Sequence, residues 1–167
     1  TLHDLSNVGL AAPHMVANIL AASALARSLE IAPDAIRTAL THFQPDAHRM
    51  QVVAVSGGIT WVDDSKATNP HAAASSLAAY PGAVWIVGGL LKGVDIAELV
   101  ASRGIHTKAA IVIGAERSAV IEAFARHAPL VPLLEAVTPD TEEVMTQVVE
   151  MAASVARDGD VVLLAPA

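Results

Sequence analysis

The sequence predicts an α/β fold: a doubly wound, mostly parallel sheet preceded by a helical tail from a neighbouring unit. Three observations carry this. From about residue 46 onward, short apolar, β-branched runs alternate with helical patterns, the signature of a parallel sheet with crossover helices. Before that point the apolar residues recur only at helical spacing. The period changes inside FQPDAHRM, residues 43–50, which is the expected boundary.

The elements follow in order. Residues 13–29, PHMVANILAASALARSL, predict an alanine-rich helix with Pro13 in its first turn. A second helix is expected over about 33–43, opened by Pro33, with Ile36, Leu40 and Phe43 on one face. MQVVAV and ITWVD are strand-like, and Ser56-Gly57-Gly58 between them signals a hairpin turn. Asn69 and Pro70 cap and open a helix through about Ala79, which Pro81-Gly82 ends. AVWIVGG is the next, buried strand. Asp95 and Glu98 supply an acidic first turn for a helix through about Arg103. AAIVIG is a further strand, and a helix spans about 117–127. LVPLL is a short strand that Pro132 confines to an edge or a bend. Thr138 caps a long helix with Pro139 at its first position, striped by Val144, Val148, Met151 and Val155. Asp158-Gly159 then turns into VVLLA.

Composition narrows the function. With 167 residues the chain is long enough for one full domain, or for one domain plus a piece of another, and it has no cysteine. Disulfides and thiolate metal sites are excluded, which suits a reducing compartment. A formal charge of −7 argues against a nucleic-acid binder. The apolar run Ala83–Leu91 falls short of the ~20 residues a membrane span needs. Asp4 and the nearby histidines interrupt any signal-peptide pattern. Both ends read as cut: the chain opens without methionine and stops just after a strand.

In open α/β sheets, ligands bind beyond the carboxyl ends of the strands. Three loops belong there: Asp63–Asn69, within WVDDSKATNPHAA; GGLLKG, residues 88–93; and GAER, residues 114–117. Lys66 and Lys92 leave different strands and are expected to face one crevice, with Arg49 reaching it from the boundary. Three cations converging in an acidic chain point to an anion such as phosphate or carboxylate, aided by helix amino termini. Blander readings stand beside these. A Gly-Gly after a strand is commonly a turn, and Asp63 and Asp64 can cap the next turn as well as hold a metal or a ribose. The seven histidines show no HxxxH or HExxH spacing, so no zinc site is predicted, and His14 and His71 suit helix starts. The chain has no GxxxxGK[ST] phosphate cradle.

DDSKATN, with PHMVANILAA, HRMQVV, GGLLKGVD and LLAPA in the same order, resembles the D-glutamate-adding branch of the Mur ligase family over essentially the whole chain. Relatives in the wider Mur ligase and folylpolyglutamate synthase superfamily differ in the loop opened by Asp64, and Ser-Lys-Ala-Thr-Asn selects this branch. The resemblance implies three domains. Residues 1–45 would be the helical end of the central ATPase domain, and 46–167 most of a Rossmann-like third domain, truncated at its end. It implies an ATP-dependent amide ligase of peptidoglycan synthesis, adding D-glutamate to UDP-MurNAc-L-alanine through an acyl phosphate. The enzyme would be cytoplasmic and monomeric, with ATP and Mg²⁺ as cofactors and neither nucleic acid nor a membrane span involved. The phosphate loop, most metal ligands and the UDP site would precede this chain, and a serine-containing D-glutamate loop would follow it.

By the same resemblance, Asn18 lies near the adenine, Arg49 near the ATP phosphates and Asp64 at the ribose. Lys66, Thr68 and Lys92 lie on the amino-acid side, with Lys66 and Lys92 as catalytic cations and no metal ligand assigned. Met15 stands where the family pattern has the first asparagine of His-Asn-x-x-Asn, so only Asn18 carries over. Leu90 replaces an acidic residue of some members, so that position receives no role. Two alternatives remain: a folylpolyglutamate-synthase-type ligase, whose loop is expected to read Asp-Gly-Ala-His-Asn, and a non-catalytic nucleotide- or anion-binding module. The chain by itself is expected to catalyse nothing.

Overall fold

The computed structural model describes residues 13–44, 46–91, 93–137 and 143–167. The chain divides into two compact units between Asp46 and Ala47, inside the segment where the sequence period changes.

In the first unit, α1 (Pro13–Ser28) and α2 (Pro33–His42) are in contact and joined by a short turn. Glu30 adopts a left-handed conformation (φ 60°), and the Ile31 N–H returns to the Ala26 carbonyl at 3.1 Å, which closes the end of α1. Pro33 begins α2 after an extended Ala32, and Asp34 in its first turn pairs with Arg37. Ile36 is buried, but Phe43 has left the helix: it is the C-cap, extended and 48% exposed. The apolar spacing therefore runs one residue beyond the helix itself.

The second unit holds one six-stranded sheet. Its strands are β1 (Gln51–Ser56), β2 (Ile59–Asp63), β3 (Val84–Gly88), β4 (Ala109–Ile113), β5 (Leu133–Glu135) and β6 (Val161–Leu164). Its helices are α3 (Pro70–Ala79), α4 (Ala97–Ser102), α5 (Arg117–His127) and α6 (Val144–Val155). The spatial order is β1-β2-β6-β3-β4-β5, and only the β1–β2 pair is antiparallel. Gly57 (φ 59°) and Gly58 (φ 73°) make the two-residue turn that joins that pair, a conformation that calls for glycine. The expected mostly parallel α/β sheet is thus present.

Handedness explains the layers. The connections β2→β3, β3→β4 and β4→β5 all advance the same way across the sheet, whereas β5→β6 turns back. Right-handed crossovers then put α3, α4 and α5 on one face and α6 on the other. The core agrees. Trp85, Val87, Ala110, Val112 and Leu163 pack with Leu77, Leu99 and Phe124 on the first face. Val84, Ile86, Ala109, Ile111 and Val162 pack with Val148 and Ala152 on the second. Every residue of β3 is buried, as a central strand covered on both faces requires. β5 starts just after Pro132 and is an edge strand, so the missing proline N–H costs no ladder bond, while the Pro132 carbonyl accepts from Ala110 N–H at 2.9 Å. At the other edge β1 is wholly exposed, with Val52, Val53 and Val55 at the surface.

Asn69 caps α3, its side-chain oxygen accepting from Ala72 N–H at 3.0 Å. The Asp95 carboxylate accepts from Ala97 N–H at 2.8 Å at the start of α4. The Val144, Val148, Met151 and Val155 stripe of α6 faces the sheet. The proposed cap Thr138 and the following Pro139 lie outside the described residues. No helix among the described residues is long and apolar enough to cross a membrane.

Candidate functional site

Because β2, β6, β3 and β4 run parallel, their carboxyl ends lie along one edge of the sheet. The loop Asp63–Asn69 leaves β2 there, and the glycine-rich loop leaves β3. Residues 165–167, leaving β6 between them, stitch the two together. Ala167 N–H donates to the Ala67 carbonyl at 2.9 Å, Gly88 N–H to the Pro166 carbonyl at 3.0 Å, and Ala165 N–H to the Ile86 carbonyl at 3.2 Å. The buried Trp85 adds an indole N–H to the Ala165 carbonyl at 2.8 Å.

The first loop is wound by its own polar groups. Asp63 accepts from Ser65 N–H at 2.8 Å, the Asp64 carbonyl from Ala67 N–H at 2.8 Å, and the Lys66 carbonyl from Thr68 N–H at 2.9 Å. Ala67 is buried beneath, so Lys66 and Thr68 are turned outward and exposed. The two adjacent carboxylates have different duties. Asp64 points inward, only 7% exposed, accepting from the Ser76 hydroxyl of α3 and from Met50 N–H at 3.1 Å. A carboxylate has about four acceptor positions, so two partners leave it further capacity. Burial and the Asp64 carboxylate together push the Tyr80 phenol up from its ordinary value.

Asp63 instead meets His48, whose Nδ1 lies 2.7 Å from its Oδ2. Partial burial works to raise the Asp63 pKa, but bonds from His48 and Ser65 outweigh it and hold the carboxyl below the ordinary range. An ionised carboxylate only accepts, so His48 Nδ1 carries the proton. His48 also accepts at its carbonyl from Lys66 N–H at 3.3 Å, and its own N–H donates to Gln51 Oε1 at 3.0 Å. His48 (φ 66°) and Met50 (φ 49°) are both left-handed, a state costing a side-chain-bearing residue roughly 1–2 kcal/mol. The exposed Arg49 lies between these two fixed residues.

The second and third loops are locked to each other. Gly114 (φ 86°) lies so close to Gly89 that a Cβ on it would sit 2.3 Å from the Gly89 Cα. Glu116 N–H donates to the Gly89 carbonyl at 3.3 Å, and the Glu116 carboxylate accepts from Leu91 N–H. Beyond this clamp lie two clefts that share Val94 and Asp95. One, of about 430 Å³, lies between Asn69, His71, Glu98 and Ser102; the other, of about 410 Å³, adjoins Leu91, Glu116 and Ser118.

The structure thus gathers Asp64, Lys66, Thr68 and Arg49 around one loop, with Asp64 turned inward. Asn18 is exposed on α1 of the first unit. Lys92 lies outside the described residues. His48, Ser76 and Glu116 are organising residues that sequence reasoning missed. HRM and GAER were the available signals for two of them. Among the described residues no cluster of three or more histidine, aspartate or glutamate side chains could hold a metal ion.

Residues 48–167 match the family described as Mur ligase, glutamate ligase domain. The chain belongs to this family. Similar proteins include the UDP-N-acetylmuramoylalanine--D-glutamate ligase of Leifsonia xyli, 54% identical over 167 residues, covering all of this chain and 32% of that protein. The Thermobifida fusca ligase of the same name is 52% identical over 166 residues, covering 99% of this chain and 36% of the relative. This Mur ligase chain therefore spans about a third of the length of the curated relatives it matches. Among solved structures, the UDP-N-acetylmuramate-alanine ligase of Thermotoga maritima shares the fold at 17% identity, with a TM-score of 0.63, over 92% of this chain and 34% of its own. A bifunctional folylpolyglutamate synthase/dihydrofolate synthase from Yersinia pestis has a TM-score of 0.54 at 25% identity, over 81% of this Mur ligase chain and 32% of its own.

Proposed function

We propose that this chain is part of an ATP-dependent ligase that joins D-glutamate to UDP-MurNAc-L-alanine in peptidoglycan synthesis. The observation that carries this reading is the DDSKATN loop. It presents Lys66 and Thr68 at the sheet edge beside Arg49, in a chain 54% identical along its whole length to a relative named for D-glutamate ligation. The folylpolyglutamate-synthase alternative finds support only in shared architecture.

The chemistry is amide formation in two steps. The γ-phosphoryl group of ATP passes to the alanyl carboxylate, giving an acyl phosphate and ADP. The D-glutamate amine then attacks the acyl carbon, and the tetrahedral intermediate expels inorganic phosphate as the amine loses its proton. Negative charge gathers on phosphoryl and carboxylate oxygens, so positioned cations lower the barrier. In this reading Arg49 grips phosphate oxygens through its guanidinium fork. Lys66 and Lys92 balance the charge of the acyl centre and of the incoming amino acid, and the Thr68 hydroxyl donates to a D-glutamate carboxylate. Asn18 addresses the adenine, and the unused acceptor capacity of Asp64 addresses the ribose. Mg²⁺ accompanies ATP in this reading, and the described residues offer it no ligand cluster. The same reading carries a cytoplasmic, monomeric enzyme.

Two substitutions in the full-length ligase test it. Thr68→Val keeps the shape and removes the hydroxyl, and should raise the KM for D-glutamate roughly tenfold or more with little change for ATP. Arg49→Lys keeps the charge and loses the fork, and should do the reverse. Equal effects on both substrates from Thr68→Val would make that residue structural and overturn its role.

A further inference from the structure

Three bonds converge on His48: its N–H to Gln51 Oε1, its carbonyl from Lys66 N–H, and its ring Nδ1–H to Asp63. Residue 48 is therefore tied on one side to the loop carrying Lys66 and Thr68, and on the other, covalently, to Arg49. The second anchor of this strap is Met50, whose N–H is held by Asp64 of the same loop. The backbone at position 48 is left-handed, which glycine or asparagine adopts with less strain than other residues. What histidine adds over glycine is the ring donor to Asp63. As a stabilising pair that contact is worth little, because 57% of the imidazole is exposed and surface ion pairs contribute weakly.

We propose that His48 is a positioning residue that locks the nucleotide side of the site, at Arg49, to the amino-acid side, at Lys66 and Thr68. This rests on the assignment of those residues under Proposed function. Through the ring and carbonyl of one residue, the aim of the guanidinium and the placement of the loop become a single variable. Loosening that residue degrades the binding of both substrates together, although it touches neither. Arg49 and Thr68 hold groups the substrates carry before reaction, so the loss of their placement falls on KM, and any drift of Lys66 adds to it in kcat. A merely structural histidine would behave otherwise, lowering the fraction of active enzyme and so kcat, with KM unchanged.

The test uses the full-length ligase and two variants that both suit a left-handed backbone. His48→Gly removes the donor, and the KM values for ATP and for D-glutamate should each rise about two- to fivefold, with the melting temperature nearly unchanged. His48→Asn restores a side-chain N–H near the position of Nδ1 and should recover most of both losses. Wild-type KM values in His48→Gly, or a rise for one substrate only, would overturn the coupling. So would a fall in kcat and melting temperature at constant KM. Arg49→Ala in parallel separates the two levels of the reading. If it leaves the KM for ATP unchanged, the nucleotide assignment fails, and this proposal with it. If it raises that KM while His48→Gly is silent, only the role of His48 is lost.

Discussion

Asp160 shows how one side chain carries a pH dependence. Lys108 donates to its carboxylate, and Arg157 N–H adds a bond at 2.6 Å. The Lys108 bond is the main reason its pKa lies below the ordinary carboxylate range, against a smaller opposing effect of burial. A group whose folded pKa is depressed contributes stability above its unfolded pKa of ~3.9 and loses it as pH falls through the folded value. Asp63 has the same sign. Urea unfolding should therefore show stability falling from pH 6 to about pH 3. Asp160→Asn should be less stable at pH 7 yet lose less on acidification, and an unchanged acid slope in that variant would remove Asp160 as a contributor. At this scale the sequence is least legible. DDSKATN identifies the loop, but nothing in HRM foretells that His48 turns left-handed and meets a carboxylate fifteen positions away. Asp63 and Asp64 look interchangeable in sequence, and only the fold turns one toward Ser76 and the other toward His48.

Elements whose determinants are local were readable. Asn69-Pro70 at the start of α3, Gly57-Gly58 in the hairpin and Pro132 before an edge strand each act within a few residues of themselves. The lock between the loops after β3 and β4 was not readable, since it depends on which strands become neighbours. Glycine substitution measures that lock. In Gly114→Ala the new methyl carbon would meet the Gly89 backbone at 2.3 Å and sit on a left-handed residue, so a loss of about 3 kcal/mol or more is expected. Gly82→Ala has the same backbone requirement (φ 79°) but open space, and should cost only ~1 kcal/mol. Matching denaturation midpoints for the two would show that the Gly89–Gly114 approach contributes nothing.

For the molecule as a whole, the alternation of strands and helices was enough to forecast a parallel sheet, yet strand order was out of reach. Nothing in VVLLA says that it inserts between β2 and β3 rather than adding to an edge. The second unit has its own two-faced core. A polypeptide limited to residues 47–167 should therefore unfold in one cooperative urea transition by circular dichroism. It should release no phosphate from ATP in the presence of D-glutamate and UDP-MurNAc-L-alanine. A gradual, non-cooperative melt would deny the unit independence, and substrate-dependent turnover would relocate the chemistry. The last strand in sequence is an inner strand of the sheet, with a consequence for assembly. Because β2 and β3 each pair with β6 and not with each other, the sheet cannot close between them before residues 161–164 are available. Without β6 both of those edges present unpaired N–H and C=O groups, which are templates for pairing with another chain.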